Sequence, residues 1–262
     1  MNILNAQAPL VSVVVVNYHT PELVMQMVRT LSNPSIQIII SDNSPTLELE
    51  KFMSDSPSAL YMKNERNIGF AAGVNRGIPA TDAEWVYFLN TDALSTPSDI
   101  LSLRDIAVSH NAHIAVPQLV KNDGTPEKNV GYFDGPKKNL FDWIFARPRL
   151  VDLSHHTHPI WVDLATGGAL LVHKTVFEKI GTFDEKNFFM YFEDVDFSLR
   201  LKSHGMPILY VPAIKVQHTG GISSDKFPAE KLRNYQMSLR AYLTKHRGRL
   251  ITWMNTKLKL FN

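Results

Sequence analysis

Val11-Ser12-Val13-Val14-Val15-Val16 is the stretch of this sequence that decides its fold, and it runs directly into Asn17-Tyr18. A run so rich in β-branched apolar residues is typical of a strand buried on both faces of a parallel sheet. Thr20-Pro21-Glu22 then has the residues of a helix start, with Thr20 as the N-cap and Pro21 at the first helical position. The chain is therefore predicted to open with a strand followed by a helix.

The alternation of strand and helix continues through the first half of the chain. Apolar runs predict strands over residues 36–40, 59–62, 85–89 and 114–117, and helical spacing predicts helices over 47–53, 71–78 and 97–109. Such alternation indicates an α/β fold around a mostly parallel central sheet. With 262 residues and 44% apolar side chains, the chain can form one large domain with a substantial core.

Polar segments follow three of the predicted strands. They are Asn17-Tyr18, Asp42-Asn43-Ser44 and Asn90-Thr91-Asp92. Ligands of α/β sheets bind beyond the carboxyl ends of the strands. We therefore expect these three segments to meet at one edge of the sheet, although they are far apart in sequence.

The second half of the chain is less regular. Residues 121–159, which include His155, His156 and His158, predict a long irregular excursion. Beyond it we predict strand character over 161–172, interrupted at Gly167-Gly168, then helices over 176–180 and 195–204, strands over 208–211 and 214–218, and a long helix over 230–246. We divide the chain into a domain over 1–221, with a donor half to about residue 118 and an acceptor half from about residue 119, and a basic amphipathic helical segment over 222–262.

Charge is unevenly distributed along the chain. The net charge is +2, yet residues 226–262 contain nine Lys or Arg and one acidic residue, Glu230. Apolar residues are interspersed among these charges: Leu250, Ile251, Trp253, Met254, Leu258, Leu260 and Phe261. This mixture fits an anionic phospholipid surface better than a nucleic acid, and a solvated helix face with a frayed end is the alternative.

The sequence also limits the compartment and the chemistry of the protein. It shows neither a signal-peptide pattern nor an apolar run of roughly 20 residues. We therefore expect a cytoplasmic protein, or one peripheral on the inner face of the cell membrane. The absence of cysteine excludes a disulfide scaffold, a thiolate zinc site and a cysteine nucleophile.

Three candidate sites lie in the first half of the chain. Asp42 can accept hydrogen bonds from a ribose hydroxyl or a base N–H, or it can cap a turn. The helix start from Asn67 to Asn75 has two glycines that let a diphosphate approach the backbone or permit close packing, and it does not match the dinucleotide or P-loop patterns. Asp92 can bind Mg²⁺ or Mn²⁺ together with substrate phosphates, or it ends a strand in a turn.

The second half contains the most informative segment. Three carboxylates, Glu193, Asp194 and Asp196, follow the apolar run Phe188-Phe189-Met190-Tyr191-Phe192. Burial and like-charge crowding can raise a carboxyl pKa towards neutrality, which suits a general base. An acidic helix N-terminus would explain the acids but not the aromatic run, so we favour a functional role. His218 closes a late strand, where an imidazole can complete a metal shell or contact a phosphate.

Taken in order, these segments resemble the family 2 glycosyltransferases of the GT-A fold, especially the bacterial rhamnosyltransferase-like branch. The resemblance extends from Val11 to about His218 and comprises Val-Val-Val-Asn-Tyr, Ser-Asp-Asn-Ser, Asn-x-Gly-Phe-Ala-x-Gly-x-Asn, Leu-Asn-x-Asp, Gly-Gly-Ala-Leu-Leu-Val and Phe-Phe-Met-Tyr-Phe-Glu-Asp-Val-Asp-Phe-Ser-Leu-Arg. Each segment alone is unspecific, and the ordered set is specific. The family's usual metal motif is Asp-x-Asp, and here Asn90 stands at its first position.

The resemblance implies a role for each candidate residue. Donor binding would fall to Asn17, Asp42, Asn67, Gly69, Asn75, Asn90 and Asp92. Asp92 and His218 would hold a divalent metal, Mg²⁺ or Mn²⁺. Asp194 would be the catalytic base with Glu193 beside it, and Gly167, Gly168 and Asp196 would lie on the acceptor side.

The implied reaction is an inverting transfer of a sugar from a nucleoside-diphosphate donor to a hydroxyl of a glycan or lipid-linked saccharide in cell-surface polysaccharide synthesis. Rhamnose from dTDP-rhamnose is the favoured donor sugar, and UDP-sugars come next. The alternative is a catalytically inactive GT-A module that binds a nucleotide or a glycan. A nucleotidyltransferase is disfavoured because Asn17-Tyr18-His19-Thr20 is not a Gly-rich basic loop.

Overall fold

The computed structural model of the protein describes residues 8–55, 58–133, 148–222 and 224–248. The strands within these ranges are β1 (Val11–Asn17), β2 (Ile36–Asp42), β3 (Leu60–Lys63), β4 (Trp85–Leu89), β5 (Ala93–Leu94), β6 (Ile114–Val120), β7 (Val130–Tyr132), β8 (Arg149–Val151), β9 (Ile160–Val162), β10 (Leu164–Ala165), β11 (Ala169–His173) and β12 (Ile208–His218). The helices are α1 (Pro21–Thr30), α2 (Glu48–Asp55), α3 (Phe70–Gly77), α4 (Pro97–Ser109), α5 (Thr175–Ile180), α6 (Glu193–Ser203) and α7 (Pro228–Arg247).

The central sheet has the strand order β3-β2-β1-β4-β11-β6-β12-β5, and β9 also pairs with β12. β3, β2, β1 and β4 are parallel to one another, and so are β6 and β12. β11 lies antiparallel between β4 and β6, and β5 and β9 are antiparallel to β12. The predicted α/β fold is confirmed, and its sheet is mixed because β5, β9 and β11 run antiparallel to the strands beside them.

A second, three-stranded antiparallel sheet has the order β10-β7-β8. β7 and β8 both fall within residues 121–159, so the prediction of a wholly irregular excursion is wrong there. His155, His156 and His158 do lie outside the strands, as predicted. The strands of this small sheet are only two or three residues long, too short to show a period in the sequence.

Helices cover both faces of the central sheet, which explains the unbroken apolar character of β1. Val13 and Val15 pack on the face covered by α1, α2 and α4. Val14 points to the opposite face, which α3, α5 and α6 cover. All three valines are at most 1% exposed, and full burial of each side chain is worth about 1.5–3 kcal/mol. A polar side chain on either face of β1 would therefore be destabilising.

The predicted helix starts are confirmed where the sequence carries the chemistry of a cap. α1 begins at Pro21, and the Thr20 hydroxyl donates to Asn17 Oδ1 at 2.9 Å rather than capping the helix. α4 begins at Pro97 with a capping box, in which Asp99 N donates to Thr96 Oγ1 and Asp99 Oδ2 accepts from Thr96 N. The hydrogen bond from Thr20 to Asn17 therefore holds the start of α1 against the carboxyl end of β1.

The long C-terminal helix is confirmed as α7, and it packs on the rest of the protein through an apolar stripe. Leu239, Tyr242 and Leu243 form a buried cluster with Phe188 and Val195. The apolar tail residues from Leu250 to Phe261 lie outside the described residues, and so does the membrane contact predicted for them. In the described part of the chain, no helix has the length and hydropathy needed to cross a membrane.

Candidate active site

The three polar segments predicted to meet at one edge of the sheet do so. Asn17 and Asp42 are register partners at the ends of β1 and β2, and Asn17 Nδ2 donates to Asp42 Oδ1 at 2.8 Å. The Thr20 hydroxyl donates to Thr91 Oγ1 at 3.0 Å, which ties this edge to the segment after β4. The carboxyl ends of parallel strands necessarily share one edge, so apolar runs in the sequence were enough to predict the meeting.

A cavity of about 490 Å³ opens at this edge, between the sheet and the N-terminus of α6. The predicted residues that line it are Asn67, Gly69, Asn90, Asp92, Gly167, Glu193, Asp194 and His218. Much of the remaining wall is apolar and includes Phe70, Leu150, Leu170, Phe183 and Phe189. An apolar wall with a few convergent polar groups is typical of a ligand site.

Asp92 and His218 come together because β5 pairs with β12. Ala93 is the register partner of His218, which brings the preceding Asp92 beside the imidazole. Asp92 Oδ1 lies 3.6 Å from His218 Nε2. On the other side of the ring, His218 Nδ1 lies 3.1 Å from Glu127 Oε2. A carboxylate on Nδ1 holds the imidazole in the tautomer that leaves Nε2 free to bind a metal.

These side chains fit a divalent cation that is shared with a ligand. Within the described ranges, no group of three or more His, Cys, Asp or Glu side chains converges as a complete metal site. The protein therefore offers one carboxylate oxygen and one imidazole nitrogen. Mg²⁺ and related ions commonly take one or two protein ligands and complete their shell with water and substrate phosphates.

Glu193 and Asp194 stand at the first turn of α6, immediately after two residues in the left-handed region. Tyr191 has φ 69° and Phe192 has φ 64°, a conformation that costs free energy for any residue with a Cβ. This turn directs both carboxyl groups into the cavity wall. Asp194 Oδ1 accepts from Val195 N at 2.7 Å, and its Oδ2 accepts from Gly167 N at 3.3 Å.

The two carboxyl groups differ in the hydrogen bonds that stabilise their ionised forms. Glu193 is buried, and its Oε2 has no hydrogen-bond partner among the described residues. Burial, together with the neighbouring Asp194, raises the pKa of Glu193 to about 8. Burial also raises the pKa of Asp194, but the N–H groups of Val195 and Gly167 oppose that rise. Asp194 is therefore the better placed of the two to be ionised at neutral pH.

Gly167-Gly168 separates the carboxylate pair from the segment with Asp92. Gly167 N donates to Asp194, while Gly168 O accepts from Asn90 N at 2.8 Å. A Cβ added at Gly168 would lie 2.9 Å from His218 Cδ2. Gly168 therefore lies directly behind the cavity, and its lack of a side chain leaves room for the imidazole.

Gly69 joins the glycine-rich helix start to the aromatic run. It has φ 90°, and a Cβ there would lie 2.5 Å from Phe189 O. Phe70 N donates to the same Phe189 carbonyl at 2.7 Å. One N–H group at the start of α3 is thus used by the protein itself, and Asn67 Oδ1 accepts from Gly69 N at 3.0 Å.

We expect Gly69→Ala to lower the free energy of unfolding by more than the about 1–3 kcal/mol of backbone strain alone, because the new methyl group meets Phe189 O. Gly124→Ala is the matched control, since Gly124 has φ 82° but nothing within 4 Å of an added Cβ. Urea unfolding of both variants measures the difference. Equal losses would show that the contact with Phe189 adds no cost.

Asp42 and Asn17, which are predicted to contact the donor, lie at the sheet edge but are not among the residues that line the cavity. Both are fully buried. Asp42 accepts hydrogen bonds from Asn17, Ser44 N, Tyr61 and Lys63. Burial opposes ionisation, but these bonds outweigh it and lower the pKa of Asp42. The pair orders the sheet edge, and the neighbouring Tyr18 and Asn43 face the cavity instead.

Asn75 and Asp196 are also placed away from the cavity, contrary to prediction. The Asn75 amide donates to Phe183 O at 2.8 Å and accepts from Phe183 N at 3.1 Å, so it fastens α3 to the loop after α5. Asp196 is fully buried and paired with Arg200, Lys245 and His246. Both side chains are thus engaged in contacts within the protein.

Sequence reasoning missed several residues of the site. Glu127 follows a short turn around Asp123-Gly124, and no local signal could have linked it to His218. Tyr18 and Asn43 adjoin residues that were singled out, so their position after a strand was the available signal. Lys231 and Tyr235 line the cavity from α7, and nothing in the sequence of that predicted helix linked them to a site formed by distant strands.

The chain can now be compared with known proteins. A sequence profile described as Glycosyl transferase family 2 matches residues 12–180, which is more than half of the chain. The protein belongs to glycosyl transferase family 2. It is a glycosyltransferase. The matched region ends before α6. The match therefore does not include Glu193 and Asp194, which reach the cavity through the turn at Tyr191 and Phe192.

Two curated relatives of this glycosyltransferase show what it is similar to. It is 28% identical over 232 residues to the low-salt glycan biosynthesis hexosyltransferase Agl10 of Haloferax volcanii, a match that covers 87% of this chain and 72% of the relative. It is 27% identical over 243 residues to the N-acetylglucosaminyl-diphospho-decaprenol L-rhamnosyltransferase of Mycobacterium tuberculosis, with 81% of this chain and 76% of the relative covered.

Solved structures of glycosyltransferases share its GT-A fold. The mannosyltransferase PcManGT from Pyrobaculum calidifontis, in complex with GDP-Man and Mn²⁺, has a TM-score of 0.62 at 13% identity, with 97% of this chain and 71% of that chain covered. GalNAc-T7 with UDP, GalNAc and Mn²⁺ has a TM-score of 0.61 at 16% identity over 81% of this chain. The present chain spans only 44% of GalNAc-T7. At these identities the likeness establishes the fold alone.

Proposed function

We propose that this glycosyltransferase is an inverting enzyme that moves a sugar from a nucleoside-diphosphate donor to a hydroxyl group of a glycan or a lipid-linked saccharide. The observation that supports this reaction is the shared cavity, which Asp92 and His218 line together with Glu193 and Asp194. A donor diphosphate and an acceptor hydroxyl need chemically different surroundings. The cavity offers both, joined through Gly167-Gly168.

The donor half of the proposed site is built on Asp92 and His218, with Asn67 and Asn90 nearby. These two side chains would hold Mg²⁺ or Mn²⁺, with Glu127 orienting the imidazole. When bound, the cation supplies positive charge that offsets the charge growing on the departing diphosphate. The Mn²⁺ in both structural relatives supports this assignment.

In the proposed chemical step, Asp194 acts as the base. Its carboxylate accepts the proton of the acceptor hydroxyl, and that oxygen forms a bond to the anomeric carbon of the donor sugar. The bond from the anomeric carbon to the diphosphate oxygen breaks at the same time, and the nucleoside diphosphate leaves. The bonds from Val195 N and Gly167 N hold Asp194 in place and favour its ionised form before the reaction.

The donor and acceptor are proposed from the similarity to curated relatives. The rhamnosyltransferase relative supports dTDP-rhamnose as the donor. Its name also makes N-acetylglucosamine linked through a diphosphate to a polyprenol the first acceptor to test. A lipid-linked acceptor would fit an enzyme that is peripheral on the inner membrane face and attracted there by its basic C-terminal segment.

The proposed donor site predicts metal-dependent binding of a nucleoside diphosphate. We expect dTDP at a hundredfold excess over its Kd, together with Mn²⁺, to stabilise the protein by about 2.7 kcal/mol, which is a rise in Tm of roughly 5–10 °C. In Asp92→Asn the part of this rise that depends on Mn²⁺ should disappear. A thermal-shift titration of dTDP, UDP and GDP, with and without Mn²⁺, measures both effects.

Asp105→Asn is the control for this titration, because Asp105 is exposed on α4 and makes only a surface ion pair with Arg104. It should behave like the wild type. Equal Mn²⁺-dependent stabilisation of Asp92→Asn and the wild type would remove Asp92 from the metal site. Failure of all three nucleotides to stabilise the wild type would reject the proposed function.

A further inference from the structure

The C-terminal helix α7 forms the back of the turn that presents the catalytic carboxylates. Ser238 Oγ on α7 donates to Met190 O at 2.7 Å, directly before the two left-handed residues. The ring of Tyr242 lies 5.4 Å from that of Phe192, and Tyr235 lies 5.3 Å from Phe192. One face of α7 therefore packs against the residues that aim Glu193 and Asp194 into the cavity.

A buried ionic network joins α7 to α6 on the side of α6 that faces away from the cavity. Asp196 is two residues beyond Asp194, which rotates it by about 200° around the helix axis. Its Oδ1 lies 2.7 Å from both Lys245 Nζ and His246 Nε2, and its Oδ2 lies 2.9 Å from Arg200 Nε. Asp196 has no exposed surface, whereas the Lys245 side chain is 29% exposed, so the carboxylate at the centre of the network is shielded from water while the lysine reaches it from the surface.

The network extends from Asp196 to the loop that precedes the catalytic turn. Lys245 Nζ also lies 2.7 Å from Asp184 Oδ2. Arg200 donates to the carbonyls of Ile180 and Thr182 at 2.7 and 2.8 Å. α7 is thus tied to both ends of the segment from α5 to α6, within which the aromatic turn lies.

The left-handed turn needs such support. Tyr191 and Phe192 have side chains and positive φ, and residues of this kind keep the conformation only when their surroundings enforce it. The geometry of a catalytic group is sensitive to small shifts, because a misplacement of about 1 Å can cost about 10²-fold in rate. Loss of the network would therefore act on Asp194 even though no member of it reaches the cavity.

We propose that α7 is a positioning element of the active site, in which Lys245 and His246 hold α6 through Asp196 and thereby fix where Asp194 presents its carboxylate. The expected effect of α7 on the reaction rate rests on the proposed function. Its structural part, the restraint on the turn, does not depend on which sugar or acceptor is used. Neither Lys245 nor His246 contacts the cavity, so neither is a catalytic residue.

Lys245→Met tests the positioning role, with Lys245→Arg as the conservative variant and Arg240→Met as the control, because Arg240 is exposed on the same helix. The assay follows release of dTDP from dTDP-rhamnose with Mn²⁺ and diphosphate-linked N-acetylglucosamine as the acceptor, at a temperature at which unfolding curves show every variant to be folded. We expect Lys245→Met to lower kcat by about 10- to 100-fold, with KM for dTDP-rhamnose unchanged within twofold. Lys245→Arg should recover most of kcat, and Arg240→Met should match the wild type.

Amide hydrogen exchange gives a second measurement that needs no donor. The amides of residues 190–197 should exchange faster in Lys245→Met, and in His246→Met tested in parallel, than in the wild type or Arg240→Met. An unchanged kcat together with unchanged exchange in folded Lys245→Met and His246→Met would overturn the proposal. So would a rise in KM at constant kcat, because α7 would then act on donor binding.

Failure of the proposed function would look different. The wild type would release no dTDP, while the exchange of residues 190–197 would still report whether α7 restrains the turn. Slower exchange in the wild type than in Lys245→Met would then support the restraint. Equal exchange would reject it.

Discussion

Replacing Asp194 by asparagine is expected to lower kcat by about 10²–10⁴-fold, the usual contribution of a positioned base, and to leave the binding of the donor nucleotide unchanged. Asparagine has the shape of aspartate, and its carbonyl oxygen can still accept a backbone N–H bond. It cannot take up the proton of the acceptor hydroxyl. Release of dTDP from dTDP-rhamnose in the presence of acceptor measures kcat, and the thermal shift with dTDP and Mn²⁺ measures binding.

Glu193→Gln is the matched control for Asp194→Asn. The pKa of Glu193 is raised to about 8 by burial and by Asp194, so Glu193 is protonated at neutral pH. Glutamine resembles that protonated acid, and we expect kcat to fall by much less than in Asp194→Asn. The reverse result, an active Asp194→Asn and an inactive Glu193→Gln, would assign the base to Glu193.

The pH dependence of the wild type follows from the same groups. A base works only when it is ionised, and burial raises the pKa of Asp194. The value of kcat/KM should therefore rise with pH, with a midpoint above the ordinary range of an aspartate. In Asp194→Asn the residual kcat/KM should not rise with pH over this range.

The parts of the fold that sequence could predict are those set by local chemistry. The apolar run of β1 predicted a strand covered on both faces, and Pro21 and Pro97 marked the starts of α1 and α4. The meeting of Asn17 and Asp42 also followed, because neighbouring parallel strands end at the same edge. None of these predictions needed to know how the second half of the chain pairs with the first.

The pairing of Asp92 with His218 at the proposed metal site could be predicted only through resemblance. Asp92 and His218 meet through the pairing of β5, a two-residue strand, with β12. So short a strand has no period that identifies it in a sequence. Glu127 depends in turn on the position of His218, so it had no local signal at all. The sequence likewise could not predict that β11 is antiparallel to its neighbours, because an apolar run does not indicate the direction of a strand in the sheet.

Asp196 shows the limit of judging carboxylates by proximity in sequence. Glu193, Asp194 and Asp196 were grouped because they lie within four residues. Once α6 is a helix, residues two apart point to nearly opposite sides. Asp194 consequently faces the cavity and Asp196 faces α7. The side chains of α7 that contact Asp196 are those of Lys245 and His246, about fifty residues further along the chain.

Replacing Asp196 by alanine is expected to lower the free energy of unfolding by about 3–5 kcal/mol, the usual cost of removing one partner from a buried ion pair. The change leaves Arg200, Lys245 and His246 without the carboxylate that they surround. Urea unfolding at neutral pH measures the loss. Asp105→Ala, which removes a carboxylate from an exposed pair with Arg104, should cost at most about 1 kcal/mol.

The stability of the protein at acidic pH tests whether this loss in Asp196→Ala comes from the charge of Asp196. Burial alone would raise its pKa, but hydrogen bonds from His246, Lys245 and Arg200 outweigh burial and lower the pKa from 3.8 to about 2. Between these values the unfolded chain binds more protons at this site than the folded protein, so the stabilisation is present above about pH 4 and is lost as the pH falls towards 2. The shift corresponds to about 2 kcal/mol. The difference in the free energy of unfolding between wild type and Asp196→Ala should therefore narrow by about that amount between pH 7 and pH 2. A difference that stayed constant over this range would show that Asp196 stabilises the protein through packing rather than through its charge.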